Sequence, residues 1–280
     1  MSQPETGKPK MKGAVAIVTG GGSGIGRALS IELAKRGAVV HVTDVNGASA
    51  EKTAKDIGAS ATHAALDVRD GAAVQRFCDG VGRVDYMFNN AGIGVGGEVQ
   101  DLLLAHWDRI IDVNIRGVVN GVQAVYPGMV ARGSGHIINT ASMAGLAPAP
   151  LLTPYAMTKH AVVGLSVSLR MEAAAYGVRV SALCPSAIET PILDSKGPDD
   201  LPKPKWMPNS REFLTKISGK PYPVEKLAEE TLDAVDDDVG LIVIPARARM
   251  MYRGYRWAPW LAESMTADLL AEARKTKPKA

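Results

Sequence analysis

Residues 14–27 read AVAIVTGGGSGIGR, a short apolar and β-branched run that stops at a cluster of glycines and passes into a helical pattern. A run that is apolar at successive positions, rather than at alternate ones, belongs to a strand buried on both faces. Where such a strand meets a helix through glycines, backbone N–H groups at the helix start converge on one point. That point is an anion site, and the missing side chains let a phosphate come close. The ATP-type phosphate loop is excluded, because it requires Lys followed by Ser or Thr after its last glycine, and here Arg27 and Ala28 follow. The spacing Gly20-x-x-x-Gly24-x-Gly26 also departs from Gly-x-Gly-x-x-Gly.

The same punctuation recurs along the chain. VVHVTD (39–44), THAALDV (62–68), VDYMFNNAG (84–92), GHIINTAS (135–142), VRVSALCP (178–185) and GLIVIP (240–245) read as further strands. Helical patterns lie between them at 24–36, 47–57, 101–131 and 153–176. Strands alternating with helices predict an α/β, doubly wound parallel sheet with helices on both faces. No repeat or linker divides residues 12–246, so one domain is expected there, with a basic N-terminus at 1–11 and an aromatic, basic extension at 247–280. Residues 186–222 break the rhythm with several prolines and little periodicity. Loops of that length inside a compact domain are usually functional.

Charge narrows the partners. The net charge is +3 over 280 residues, and KPKMK (8–12) and RKTKPK (274–279) place much of the excess near the ends. This reads as solvated termini and not as a nucleic-acid footprint. Cys78 and Cys184 are too few for a disulfide framework, no apolar run follows the N-terminal charges, and no uncharged stretch reaches the roughly 18 residues of a membrane span. A cytoplasmic protein is expected. His41, His63, His106, His136 and His160 share no ligand spacing, so no metal is expected.

Two features carry chemistry. Asp44 ends the second strand, about 20 residues after the glycine turn, where a carboxylate can accept hydrogen bonds from the ribose hydroxyls of an adenosine. The same charge repels a 2′-phosphate, and Ser23 stands where a basic residue would attract one, so NAD is favoured over NADP. Outside this context Asp44 would read as a helix cap. Tyr155 and Lys159 are four residues apart in a helical pattern and share one face. Alone, that pair reads as packing plus a snorkelling lysine.

TGGGSGIG, Asp67-Val68, NNAG (89–92), Asn114, Ser142 and YAMTK (155–159) stand in an order and spacing that resembles the short-chain dehydrogenase/reductase family. The resemblance covers residues 12–245 and implies a single Rossmann domain of about seven parallel strands. It implies that Gly20, Ser23, Gly24, Ile25 and Gly26 cradle a pyrophosphate, that Asp67 and Val68 border the adenine, and that Asn90, Ala91 and Gly92 lie along the cofactor ribose. Pro185, Ile188 and Thr190 would meet the carboxamide end, although Ser186 replaces the glycine usual after Pro185.

The catalytic roles implied fall on Asn114, Ser142, Tyr155 and Lys159. Tyr155 would exchange a proton with the substrate oxygen, and Ser142 would orient that oxygen. Lys159 would lower the phenol pKa from about 10, hold ribose hydroxyls, and connect to solvent through a water on Asn114. The bland alternatives are a helix cap at Ser142 and a turn-to-helix defect at Asn114.

Leu193, Trp206, Met207 and Phe213 mark 186–222 as an apolar, mobile lid over a lipophilic alcohol or ketone. For 247–262 a lid or subunit interface is favoured, and membrane contact is the disfavoured reading. Relatives suggest a homo-oligomer, tetramer or dimer, built on helices 101–131 and 153–176, with Gly117, Gly121, Ala161 and Gly164 permitting close approach. The functional reading is an NAD-dependent oxidoreductase acting on a small-molecule secondary alcohol or ketone. The alternative is an NAD(H)-binding sensor of the same fold with little turnover.

Overall fold

The computed structural model describes residues 11–195 and 197–277, so the expectation for residues 1–10 lies outside the described residues. Seven strands run β1 Val15–Thr19, β2 Val39–Asp44, β3 Ala61–Ala65, β4 Tyr86–Asn89, β5 Gly135–Thr140, β6 Val178–Pro185 and β7 Leu241–Ile244. They form one sheet in the order β3-β2-β1-β4-β5-β6-β7, and every neighbouring pair is parallel. The chain therefore winds outward from β1 in one direction and then returns to β4 and winds in the other. The crevice between β1 and β4, at the C-terminal ends of the strands, is where an open α/β sheet binds ligands.

The helices are α1 Gly24–Lys35, α2 Gly47–Ile57, α3 Gly71–Val81, α4 Leu104–Ile111, α5 Gly117–Arg132, α6 Thr153–Ala174, α7 Ser210–Ser218, α8 Val224–Asp236, α9 Ala246–Trp257 and α10 Pro259–Arg274. They cover the two sheet faces, and the strand sequences show why. In β1, Ala16 and Val18 enter one core with Leu29 and Leu33 of α1 and Leu227 and Leu232 of α8. Ile17 points the other way, into a second core with Val122 and Met129 of α5 and Val162 of α6. Successive side chains of a strand alternate faces, so a strand buried on both must be apolar throughout.

The helix expected over 101–131 is interrupted. A short 3-10 turn spans Val99–Asp101, and a π-helical turn spans Asp112–Arg116 between α4 and α5. Gly117 and Gly121 also do not face outward: a side chain at either would strike Val68 or Asn89. Their job is close packing against the sheet side of the fold. Cys78 and Cys184 are both free and buried. No helix among the described residues is long and apolar enough to cross a membrane.

Candidate active site

Three helix starts show where an anion could bind. Asn46 caps α2 by accepting from the Ser49 N–H, and Asp70 caps α3 by accepting from Ala73. At α1 the N-cap residue Ser23 makes no such side-chain bond, and no acidic residue stands in the first turn. The donors left open there, together with the positive end of the helix dipole, fit a pyrophosphate. The glycines make the approach possible. A Cβ on Gly26 would lie 2.2 Å from the Gly20 carbonyl oxygen, so only glycine lets α1 close on β1. Thr190 packs 3.4 Å from the corresponding position on Gly24 and forms the other wall.

Asp44 sits beside this turn. Its Oδ2 accepts from the Gly22 N–H at 3.0 Å and its Oδ1 accepts from the Asn46 N–H at 2.9 Å. Both bonds aim the carboxylate across the mouth of the glycine loop, and each oxygen retains a lone pair for a ribose hydroxyl. Asp67 is engaged differently. Arg69 donates to it from Nε and Nη2, which holds its carboxyl below the usual range. Val68 is buried against Gly117. The 90–92 loop is fixed by Thr19, whose hydroxyl accepts from the N–H groups of Asn90 and Ala91, both at 3.0 Å. Asn90 in turn donates to the Thr19 carbonyl at 3.0 Å.

The catalytic candidates converge on the end of β5 and the start of α6. Lys159 is 3% exposed and donates to the Thr140 carbonyl at 2.8 Å, with its ammonium 5.5 Å from the centre of the Tyr155 ring. Ser142 is itself a cap, accepting from the Ala144 N–H at 3.1 Å, and its hydroxyl also meets the Tyr155 phenol. The Met143–Gly145 turn packs tightly on α6, for a Cβ on Gly145 would come within 2.5 Å of the Lys159 carbonyl.

Electrostatics depart here from the sequence expectation. Burial raises the Tyr155 pKa, with the Ser142 contact pulling the other way. Burial likewise lowers the Lys159 pKa to about 8. In the protein without cofactor, desolvation outweighs the Ser142 contact on the phenol. A buried lysine with a neutral carbonyl as partner is a weaker cation than one in water.

Asn114 lies in the π-helical turn, a distortion common at functional sites. Its side chain holds both backbone groups of one residue: Oδ1 accepts from the Ile93 N–H at 2.9 Å and Nδ2 donates to the Ile93 carbonyl at 3.0 Å. Nδ2 also donates to Thr158 at 3.1 Å. Both amide hydrogens are committed to protein, so the side chain positions the 92–93 loop beside Lys159.

The sequence profile of the short chain dehydrogenase family matches residues 14–201. The chain belongs to the short-chain dehydrogenases. It is 37% identical to levodione reductase of Leifsonia aquatica over 193 residues, 65% of this chain and 72% of that one. It is 38% identical over 203 residues to probable oxidoreductase EphD of Mycobacterium tuberculosis. That match takes 69% of this chain but only 34% of EphD, so the chain spans about a third of that relative. The structure of a short chain dehydrogenase/reductase from Burkholderia phymatum in complex with NAD superposes with a TM-score of 0.81 at 30% identity, covering 90% of this chain and 96% of that one.

As a short-chain dehydrogenase the protein has a further region built on the same edge of the sheet. Residues 186–222 hold a 3-10 turn at Pro191–Asp194, α7, and a bridge between Ile188 and Tyr222. Pro185 and Ile188 are buried, and Ser186 follows without a left-handed backbone, its N–H donating to the Ile244 carbonyl at 2.9 Å. Serine in place of glycine therefore costs no backbone strain here. Leu193 is buried, and Met207 lies over Gly96. Trp206 and Phe213 are buried in a satellite core with Leu151, backed by Leu270 and Ala273 of α10.

The contacts that tie this region down were not legible in the sequence. Arg109 pairs with Asp200, and Arg211 with Glu189 and Asp194. His106 is buried and bonds the Pro202 carbonyl at 2.8 Å. Glu98 is nearly buried and pairs with Arg274 at 2.8 Å and Lys277 at 2.5 Å, joining α10 to the segment after β4. Leu151 holds a left-handed backbone (φ 64°) and accepts the Gly97 N–H at 2.8 Å. A β-turn or cap signal would have needed glycine or asparagine there, so the sequence offers no hint of it.

Proposed function

We propose that the chain is an NAD-dependent oxidoreductase that moves a hydride between the nicotinamide and a secondary alcohol or ketone, with lipophilic substrates preferred. The observation that carries this reading is the meeting of three groups at the C-terminal edge of the sheet. Tyr155 and Lys159 stand one turn apart on α6, and Ser142 lies beside the phenol. A nicotinamide cofactor, when bound, supplies the hydride chemistry. The protein's part is proton transfer at the Tyr155 oxygen, alignment of the substrate oxygen by Ser142, and fixation of the cofactor ribose by Lys159. A sensor without turnover has no use for this arrangement.

The cofactor preference rests on Asp44. Asp67 and Val68 remain assigned to the adenine side, and Asn90, Ala91 and Gly92 to the ribose side. NAD(H) binds more tightly than NADP(H), and Asp44→Ala narrows the gap because the charge opposing a 2′-phosphate is gone. Titration of both cofactors against both proteins measures this; tighter NADPH binding by the unmodified chain would refute it. A screen of alcohols and ketones at the nicotinamide absorbance tests the reaction itself.

The substrate preference rests on the apolar segment 186–222 beside the site. Trp206→Ala empties space behind the pocket wall, so KM rises more for bulky hydrophobic substrates than for small ones. If small polyols are the best substrates of the unmodified protein, the lipophilic pocket is wrong. Assembly into a homo-oligomer is proposed through α5 and α6, where Ala161 and Gly164 lie on exposed positions.

A further inference from the structure

The C-terminal helices divide into an anchored part and a free part. The end of α10 is held to the body by Leu270 and Ala273 against Trp206 and Phe213, by Lys216 on Glu272, and by Glu98. The start of α9 is held by Ala248 in the core and by Arg249, which donates to the Val243 carbonyl at 3.0 Å. Between these anchors the end of α9 and the start of α10 form a corner that touches little. There Met250 is 67% exposed, Trp257 85% and Trp260 69%, with Met251, Leu261 and Met265 also open to solvent. Six large apolar side chains exposed along these two helices exceed what scattered surface residues explain.

The charge on α9 has one sign, while on α10 Glu263 stands between Leu261 and Met265. α9 reads ARARMMYRGYRW, with arginine at 247, 249, 253 and 256 and no acidic residue. Met250, Gly254 and Trp257 follow helical spacing along one stripe, and Arg249, Arg253 and Arg256 follow it along the adjoining one. Arg253 and Arg256 are exposed and have no ion-pair partner among the described residues.

We propose that this corner is a docking surface for an anionic lipid bilayer. Trp257 and Trp260 enter the boundary between headgroups and acyl chains, and Arg253 and Arg256 meet the lipid phosphates. Indole rings and arginines side by side suit that boundary, where one end of the contact is apolar and the other wet. The contact is peripheral, since no described helix can span a membrane. A second copy of the chain fits less well: a two-fold contact centred on α9 would set each arginine stripe against its own twin, with no carboxylate on α9 to separate them. The proposal departs from the preference that sequence alone suggested for 247–262. The proposal is independent of the substrate assignment, because it concerns binding without turnover.

The test is co-sedimentation of the full chain with vesicles of phosphatidylcholine alone or mixed in equal parts with phosphatidylglycerol. Binding to the mixed vesicles, a blue shift of tryptophan emission, and release by added salt are expected. Arg253→Ala with Arg256→Ala lowers the partition constant roughly thirtyfold, at about 1 kcal/mol for each basic residue near the surface. Trp257→Phe with Trp260→Phe removes most of the blue shift and keeps the fold, which circular dichroism checks. The proposal is overturned if the chain ignores the anionic vesicles, or if the arginine variant binds them as well as the original. It is equally overturned if tryptophan replacement breaks an oligomer while the unmodified chain leaves vesicles alone, for then the corner is a subunit contact.

Discussion

Tyr155→Phe lowers kcat by roughly a hundred- to ten-thousand-fold, the range that a positioned acid–base group contributes. Cofactor binding changes little. The phenol oxygen is the group proposed to exchange a proton with the substrate, and removing it leaves the ring, the Ser142 hydroxyl and the Lys159 ammonium in position. Burial holds the phenol protonated well past neutral pH in the protein without cofactor. It therefore begins as a donor suited to ketone reduction, and alcohol oxidation needs a further shift toward phenolate once the site is filled. Steady-state rates at saturating cofactor, with the dissociation constant measured separately, check both halves. Turnover by the phenylalanine variant at the original rate would remove Tyr155 from the mechanism.

How much of this could be read beforehand depends on whether the signal was local. The apolar runs marked the buried strands because a strand buried on both faces has no freedom to be polar; all seven strands overlap their expected ranges, although β3, at the sheet edge, is mostly exposed. Helices α3, α7, α8, α9 and α10 were not among the expected helical patterns; α9 is arginine-rich, and α7 is a short helix inside a proline-broken segment. Placement with a sequence spacing, such as Tyr155 and Lys159 four apart on one helix, was legible. Chemistry through the backbone was not: the Thr140 carbonyl that receives Lys159 carries no residue signature. Distant pairs were equally hidden. Glu98 and Lys277 meet across the fold, and neither residue type is rare enough to point to the other. Asn114 shows the limit of spacing. Its position was clear, but the π-helical turn around it and its grip on Ile93 belong to the tertiary structure.

Lys159→Met has opposite effects on stability and on function. The ammonium is buried with the Thr140 carbonyl as its hydrogen-bond acceptor, and no carboxylate pairs with it among the described residues. Its pKa falls from 10.5 in the unfolded chain to about 8 in the folded one. Between those values the unfolded state binds more protons, so this group makes stability rise with pH across that window. Below pH 8 the cost is fully present, roughly 3 kcal/mol at 1.36 kcal/mol per unit. Methionine keeps the length of the side chain and removes the charge. The variant without cofactor is then more stable than the original at neutral pH, and its advantage shrinks as pH climbs toward 10.5. Comparing the two proteins cancels Tyr155 and Cys78, whose raised values act in the other direction at alkaline pH; Cys184, whose thiol the Lys159 ammonium pulls down, is raised further in the variant and adds to that alkaline effect. Cofactor reverses the order. The ribose hydroxyls offer acceptors that the buried ammonium lacks, so NAD stabilises the original protein more than the variant, and the variant binds it weakly and turns over slowly. Urea midpoints for both proteins across this pH range, with and without NAD, test the argument in one set of measurements. An original protein that is the more stable of the two at neutral pH without cofactor would show that Lys159 is held for the fold, and that its burial carries no cost for the cofactor to relieve.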